Sequence, residues 1–201
     1  SESRFFQNPR YGEILFKGER IDNLRQEEMR RLRGRKIGAI FQDPLTSLNP
    51  LLTVGTQLIE TILTHLDMNR EQARKRALEL LEEVGIPAPD QRIDNYPHQF
   101  SGGMRQRVVI ALALCANPML IIADEPTTAL DVSIQAQILS ILKKLCHENG
   151  AAIILVTHDM VVIAETADRV AVMYAGRLVE LGPVDQVIKA PKHPYTVGLM
   201  G

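Results

Sequence analysis

Apolar residues recur along this chain with two different periods. Compact apolar runs at Ile37 to Phe41, Met119 to Ala123 and Ala152 to Val156 have the length and composition of strands. Between them lie longer stretches with apolar positions three and four residues apart. Ala73, Ala77, Leu80, Leu81 and Val84 share one helical face, and Ile134, Ile138, Ile141, Leu142 and Leu145 share another. Asn69, with Gln72 in capping-box position, is suited to start the first of these helices; Gly85 ends it and Pro87 prevents its resumption. Helices are also expected over Val54 to about Leu66, from Ser101 to about Ala116, over Ser133 to Glu148 with a stop at Asn149-Gly150, and over Met160 to Thr166. Ile21 to Arg33 is polar and basic with a weak helical pattern. Tyr11 to Phe16 reads as a short strand with a turn at Lys17-Gly18-Glu19. Leu45 to Pro50 and Pro87 to Pro97 read as loop. Val170 to Tyr174 and Arg177 to Glu180 form a hairpin about Ala175-Gly176, and Pro183 to Gly201 is a short helix followed by proline-rich loop.

Apolar strands alternating with amphipathic helices indicate an α/β fold with a mostly parallel sheet. Val54 to Ala116 holds helices and no clear strand, so an all-helical subdomain inserted into the α/β core is expected. Composition changes little in this picture: 45% hydrophobic and 23% charged residues are ordinary for a soluble globular protein. A formal net charge of −1 does not point to nucleic acid. The one basic cluster, Arg30, Arg31, Arg33, Arg35 and Lys36, has no interleaved aromatics and reads as a solvated face. Cys115 and Cys146 fall in apolar-periodic segments and read as reduced core residues. No apolar run approaches the roughly 18 residues that cross a bilayer, and Ser1 to Arg10 is polar and irregular, so a cytosolic protein is expected.

Strand ends carry the candidate chemistry. The carboxyl edge of a parallel sheet is where open α/β folds bind ligands, and Leu120-Ile121-Ile122-Ala123 delivers Asp124 and Glu125 to such an edge before Pro126 ends the strand. A carboxylate there suits Mg²⁺, which takes few protein ligands, and its neighbour suits polarisation of an attacking water. Gln42 follows Ile37 to Phe41, and His158 follows Ala152 to Val156, so both reach the same edge. A neutral amide there can contact magnesium and water; a histidine can donate to a phosphate oxygen. Ser101-Gly102-Gly103 opens a helix whose N-terminal amides attract anions, with glycines that allow close approach. Asp131 reads as the N-cap of the helix after it.

In their order and spacing, Gln42, Ser101 to Gln106, Asp124-Glu125, Asp131 and His158 resemble the ATP-binding subunit of ABC transporters over nearly the whole chain. Phe41-Gln42-Asp43-Pro44-Leu45-Thr46-Ser47-Leu48-Asn49-Pro50, Tyr96-Pro97-His98-Gln99-Phe100 and His193-Pro194-Tyr195-Thr196 resemble the dipeptide/oligopeptide/nickel importer group, which includes glutathione importers. The resemblance implies an α/β, P-loop NTPase-like ATPase core divided as 1–50 with the glutamine loop, 51–116 as the helical signature subdomain, and 117–201 with the magnesium-carboxylate strand, the switch histidine and a tail.

It also implies ATP and Mg²⁺ as cofactors, with Glu125 as catalytic base and His158 as γ-phosphate sensor. Gln42, Ser101, Gly102, Gly103, Gln106 and Asp131 would be nucleotide contacts, and Gln42 and Asp124 the magnesium contacts. Ser101, Gly102 and Gly103 would act on ATP held by the partner domain, and Asp131 would couple the two sites. The implied partners are a second ATP-binding subunit (homo- or heterodimeric), membrane-spanning permease subunits and, indirectly, an extracytoplasmic solute-binding protein, with no nucleic acid. The implied location is peripheral, on the cytoplasmic face of the inner membrane.

No Gly-x-x-x-x-Gly-Lys-Ser/Thr phosphate loop occurs in the 201 residues. The chain is therefore expected to be a fragment that lacks the family's phosphate grip and adenine-stacking aromatic, is inactive alone, and leaves apolar surface exposed where a central strand would lie. Two other readings stand beside this one: a non-catalytic module that docks on membrane subunits, and a non-transport ABC ATPase.

Overall fold

The computed structural model describes residues 12–127 and 130–200. Tyr11, Thr128, Ala129 and Gly201, which fall within expected segments, lie outside the described residues. Three strands, β3 (Ile37–Ile40), β4 (Leu120–Asp124) and β5 (Ala152–Val156), pair in parallel in the order β3-β4-β5. Two antiparallel ribbons complete the β structure: β1 (Leu15–Phe16) with β2 (Glu19–Arg20), and β6 (Arg169–Tyr174) with β7 (Arg177–Pro183). The first ribbon is shorter than Tyr11 to Phe16 suggests, because it closes on a two-residue turn with Lys17 at φ 52° and Gly18 at φ 82°, the left-handed pair that tight hairpins require.

Register sets what the sheet presents. Gly38 and Ile40 lie opposite Ile121 and Ala123, which lie opposite Ile153 and Leu155. This face packs into the main core, where Ile40, Ile121 and Ala123 are fully buried. Ala39, Ile122 and Ile154 form the other face. There Ile122 is 37% exposed and Ile154 50% exposed. Among the described residues, β4 is thus covered on one side only.

The core is built by α3 (Val54–His65), α4 (Arg70–Glu83), α6 (Gly102–Leu114) and α7 (Val132–Glu148). Asn69 caps α4 through a reciprocal capping box with Gln72. The stripe Ala73, Ala77, Leu80, Leu81 and Val84 is buried as its spacing requires. Burial of side chains such as Leu80 and Leu81 contributes about 1.5–3 kcal/mol each. Gly85, at φ 74°, ends the helix by donating to Glu82 O at 2.8 Å while Ile86 donates to Leu81 O at 2.8 Å. Cys115 and Cys146 are buried, and burial pushes their thiols up to about 12 and about 11 respectively, so both are inert protonated core residues.

The remaining helices are α1 (Gln26–Leu32), α2 (Pro44–Ser47), α5 (Pro89–Arg92), α8 (Met160–Thr166), α9 (Val184–Lys189) and α10 (Pro194–Met200), with one 3₁₀ turn at Pro97–Gln99. Leu45 to Pro50, Pro87 to Pro97 and the end of the tail are therefore not plain loop. In α2, α5, the 3₁₀ turn and α10 the first residue is proline, which lacks only an N–H that the first turn leaves unused. Among the described residues no helix is long and apolar enough to cross a membrane.

Candidate nucleotide site at the carboxyl edge of the sheet

Three side chains from three adjacent strand ends meet at Glu125. Gln42 follows β3, and its Nε2 donates to Glu125 Oε2 at 3.2 Å. His158 follows β5, and its Nδ1 lies 2.9 Å from Glu125 Oε1. Glu125 itself follows β4, and its backbone N–H donates to Val156 O at 2.9 Å, extending the parallel ladder by one residue. Glu125 adopts φ 45°, a left-handed conformation that an L side chain with a Cβ resists. That turn takes the carboxylate off the strand's alternation, between the two flanking strand ends.

The ring has a definite proton arrangement when Glu125 is ionised. A carboxylate only accepts, so Nδ1 carries the hydrogen of this pair. His158 then reaches out from an exposed position, its side chain 79% accessible against 27% for Glu125. The turn holding it is itself fixed. Thr157 Oγ1 accepts from the Asp159 amide at 3.1 Å, and Asp159 caps α8 through the amides of Val161 and Val162 at 2.9 and 3.2 Å. Asp159 stands immediately before the helix, where an aspartate is an N-cap signal that the sequence itself carries. Asp124, the last residue of β4, pairs with Val156 and is exposed at the same edge.

Magnesium suits this edge. Asp124 supplies a carboxylate oxygen, and Gln42, whose amide nitrogen is used on Glu125, has its amide oxygen for a cation. Among the described residues no cluster of three or more His, Cys, Asp or Glu forms a metal cage.

The other expected residues gather elsewhere, at the facing starts of α6 and α7. Ser101 is the N-cap of α6, its Oγ accepting from the Met104 amide at 3.4 Å. Asp131 is the N-cap of α7, its Oδ1 accepting from the Ile134 amide at 3.0 Å. A Cβ on Gly102 would lie 3.7 Å from Leu130 Cδ2, and one on Gly103 only 2.8 Å from Ile134 Cγ2. Ser101 and Gly102 are exposed at the start of α6, the end of a helix whose free amides attract anions.

Gln106 departs from expectation. It is 1% exposed, with Nε2 buried and without a hydrogen-bond partner. The spacing explains this: Gln106 lies on the side of α6 that also buries Val109, Ile110 and Ala113, whereas Ser101 and Gly102 stand at its exposed tip. In this conformation its side chain does not reach a surface ligand. Its neighbours Arg105 and Arg107 brace the helix instead. Arg105 Nε donates to Pro97 O at 2.8 Å, and Arg107 Nη1 donates to Val84 O at 2.8 Å.

The family model described as "ABC transporter" matches residues 5–128. The oligopeptide transport ATP-binding protein OppD of Bacillus subtilis is 59% identical over 189 residues, covering 94% of this chain and 53% of that protein. The dipeptide transport ATP-binding protein DppD of Lactococcus lactis subsp. cremoris is 52% identical over 190 residues, covering 94% of this chain and 54% of that protein. Among solved structures, the dimeric post-hydrolysis state of the ATP-binding cassette MJ0796 bound to ADP and Pi aligns with a TM-score of 0.76 at 34% identity, over 87% of this chain and 74% of that one. The structure of cbiO1 from Clostridium perfringens, part of the ABC transporter complex cbiONQ, aligns with a TM-score of 0.76 at 31% identity, over 90% of this chain and 69% of that one. The chain spans about half the length of the curated relatives it matches.

Proposed function

Because this chain belongs to the ABC transporter family, we propose that it is part of an ATP-binding and ATP-hydrolysing subunit that energises the import of peptides or related small solutes. The observation that carries the chemistry is the convergence of Gln42 and His158 on the two carboxylate oxygens of Glu125. Glu125 is the base that takes a proton from the water attacking the terminal phosphate of ATP. Gln42 orients that carboxylate and the water beside it. His158 contacts a γ-phosphate oxygen; with Nδ1–H given to Glu125, its Nε2 donates only after the ring takes a second proton or releases the carboxylate. Asp124 and Gln42 hold Mg²⁺, which when bound neutralises charge on the phosphates.

Ser101, Gly102 and Gly103 act on nucleotide held by a second ATP-binding subunit, and Asp131 links the two sites. The subunit docks from the cytoplasmic face onto membrane-spanning permease subunits, with a solute-binding protein serving the opposite side. The identities to proteins named for oligopeptide and dipeptide transport support peptide as the solute class. The 201 residues hold no Gly-x-x-x-x-Gly-Lys-Ser/Thr loop, so by itself this chain does not turn ATP over.

Uptake of a labelled oligopeptide into proteoliposomes containing the natural-length protein and its permease subunits tests the solute class. ATP-driven uptake that Glu125→Gln abolishes is expected. Assembly and ATP turnover without any peptide uptake would remove peptide from the proposal.

A further inference from the structure

The starts of α6 and α7 share one residue. Ile134 places Cγ2 2.8 Å from where a Gly103 Cβ would stand, and the same residue's amide donates to Asp131 Oδ1 at 3.0 Å. One side chain thus abuts the glycine turn while its backbone satisfies the cap of α7. A second contact lies about one turn further along both helices, where Arg107 Nη2 donates to Gln137 Oε1 at 2.9 Å. Two contacts on one helix–helix face resist both sliding and rotation. A β-branched side chain in a helix has essentially one χ1 rotamer, so Ile134 cannot swing Cγ2 away from a larger residue at position 103.

We infer that Ile134 is a positioning residue: it seats Gly103 and, through its amide, Asp131, so that Ser101–Gly103 and Asp131 hold a fixed geometry within one subunit. The inference rests on the proposed ATPase reading for its consequence, but not for the contact itself. Gly103 is then glycine for two reasons, approach to nucleotide and approach to Ile134, and substitutions at position 134 separate them. Ile134→Leu moves the branch from Cβ to Cγ at constant volume and removes Cγ2. Ile134→Val keeps Cγ2 and removes only Cδ1.

The test is a double-mutant cycle in the natural-length protein. ATP turnover and thermal midpoint are measured for the unsubstituted protein, for Gly103→Ala, Ile134→Leu and Ile134→Val singly, and for Gly103→Ala combined with each position-134 variant. Gly103→Ala is expected to lower kcat about 10- to 100-fold with a smaller change in KM, as a misplaced catalytic element does. Ile134→Leu should recover most of that loss, and Ile134→Val none. An equal loss in all three backgrounds would overturn the inference and leave Gly103 with nucleotide approach alone. Absence of turnover in the unsubstituted protein would count against the ATPase reading. In that event the thermal midpoints decide: rescue by Ile134→Leu and not by Ile134→Val upholds the contact, and a background-independent shift overturns it.

Discussion

Glu125 combines the two properties that single it out among the described residues: left-handed backbone at φ 45°, and a carboxylate engaged on both oxygens. A non-glycine residue in that region costs roughly 1–2 kcal/mol, and such strain persists where surrounding structure enforces it. Here the enforcement is the Glu125 amide bond to Val156 O at 2.9 Å. Glu125→Gly is therefore expected to unfold in urea with a stability about 1 kcal/mol above Glu125→Ala, while both lose activity. Equal stabilities would show that no strain is stored there. Strand-end position alone is enough to bring Gln42, Glu125 and His158 to one edge from sequence, because strand length fixes where a parallel strand stops. The left-handed turn is not legible, since glutamate has no preference for it and only the neighbouring strand imposes it. Gln106 escapes sequence reading for a related reason: adjacency to Ser101-Gly102-Gly103 says nothing about which side of α6 a residue occupies.

At the scale of elements, the C-terminal segment is fastened by one carboxylate. Glu180, on β7, accepts the amides of Lys192 at 3.0 Å and His193 at 3.2 Å, immediately before α10. His193 Nδ1 in turn accepts the Tyr195 amide at 3.1 Å, and the Tyr195 ring lies 4.5 Å from that of Tyr174 on β6. The nearby Thr196 hydroxyl first, and then these two amides, hold the Glu180 carboxyl below its ordinary range, although the buried hydroxyl oxygen has no hydrogen bond of full geometry. A lowered carboxyl pKa contributes stability that is present above the ordinary glutamate range and is lost as pH falls through the lowered value. Proteolysis of α10 is therefore expected to accelerate on acidification below about pH 4. In Glu180→Gln it should already be fast at neutral pH, with little further change; an acid response identical in both forms would refute the clasp. This clasp explains physically why His193-Pro194-Tyr195-Thr196 forms a helix start where the sequence suggests loop. Pro44, Pro89, Pro97 and Pro194 lie in or beside segments that read as loop, yet each stands first in its helical turn. Segments with an apolar period, such as α4 and α7, need no such context and are legible throughout.

For the molecule as a whole, one main core joins the helices α3, α4, α6 and α7 to a single face of the parallel sheet. Parallel sheets ordinarily carry cover on both faces; among the described residues the face holding Ile122 and Ile154 remains open. Alternating strands and helices make the α/β class legible, because period and length distinguish the two element types locally. The separation of the β6–β7 ribbon from the parallel sheet is not, since strand partnership between distant segments leaves no local signal. Of the two candidate clusters, Gln42, Glu125 and His158 follow from the strand ends, whereas Ser101, Gly103 and Asp131 come together at the joined starts of α6 and α7 only in three dimensions. The most direct measurement of the central claim is steady-state phosphate release from Mg-ATP by the natural-length protein, unsubstituted and as Glu125→Gln, beside the 201-residue chain alone. Magnesium-dependent turnover that falls about 100-fold or more in Glu125→Gln, with none from the shorter chain, is the expected result. Turnover that survives Glu125→Gln unchanged would contradict the assignment of Glu125 as base, and turnover by the chain alone would contradict its dependence on a phosphate grip elsewhere.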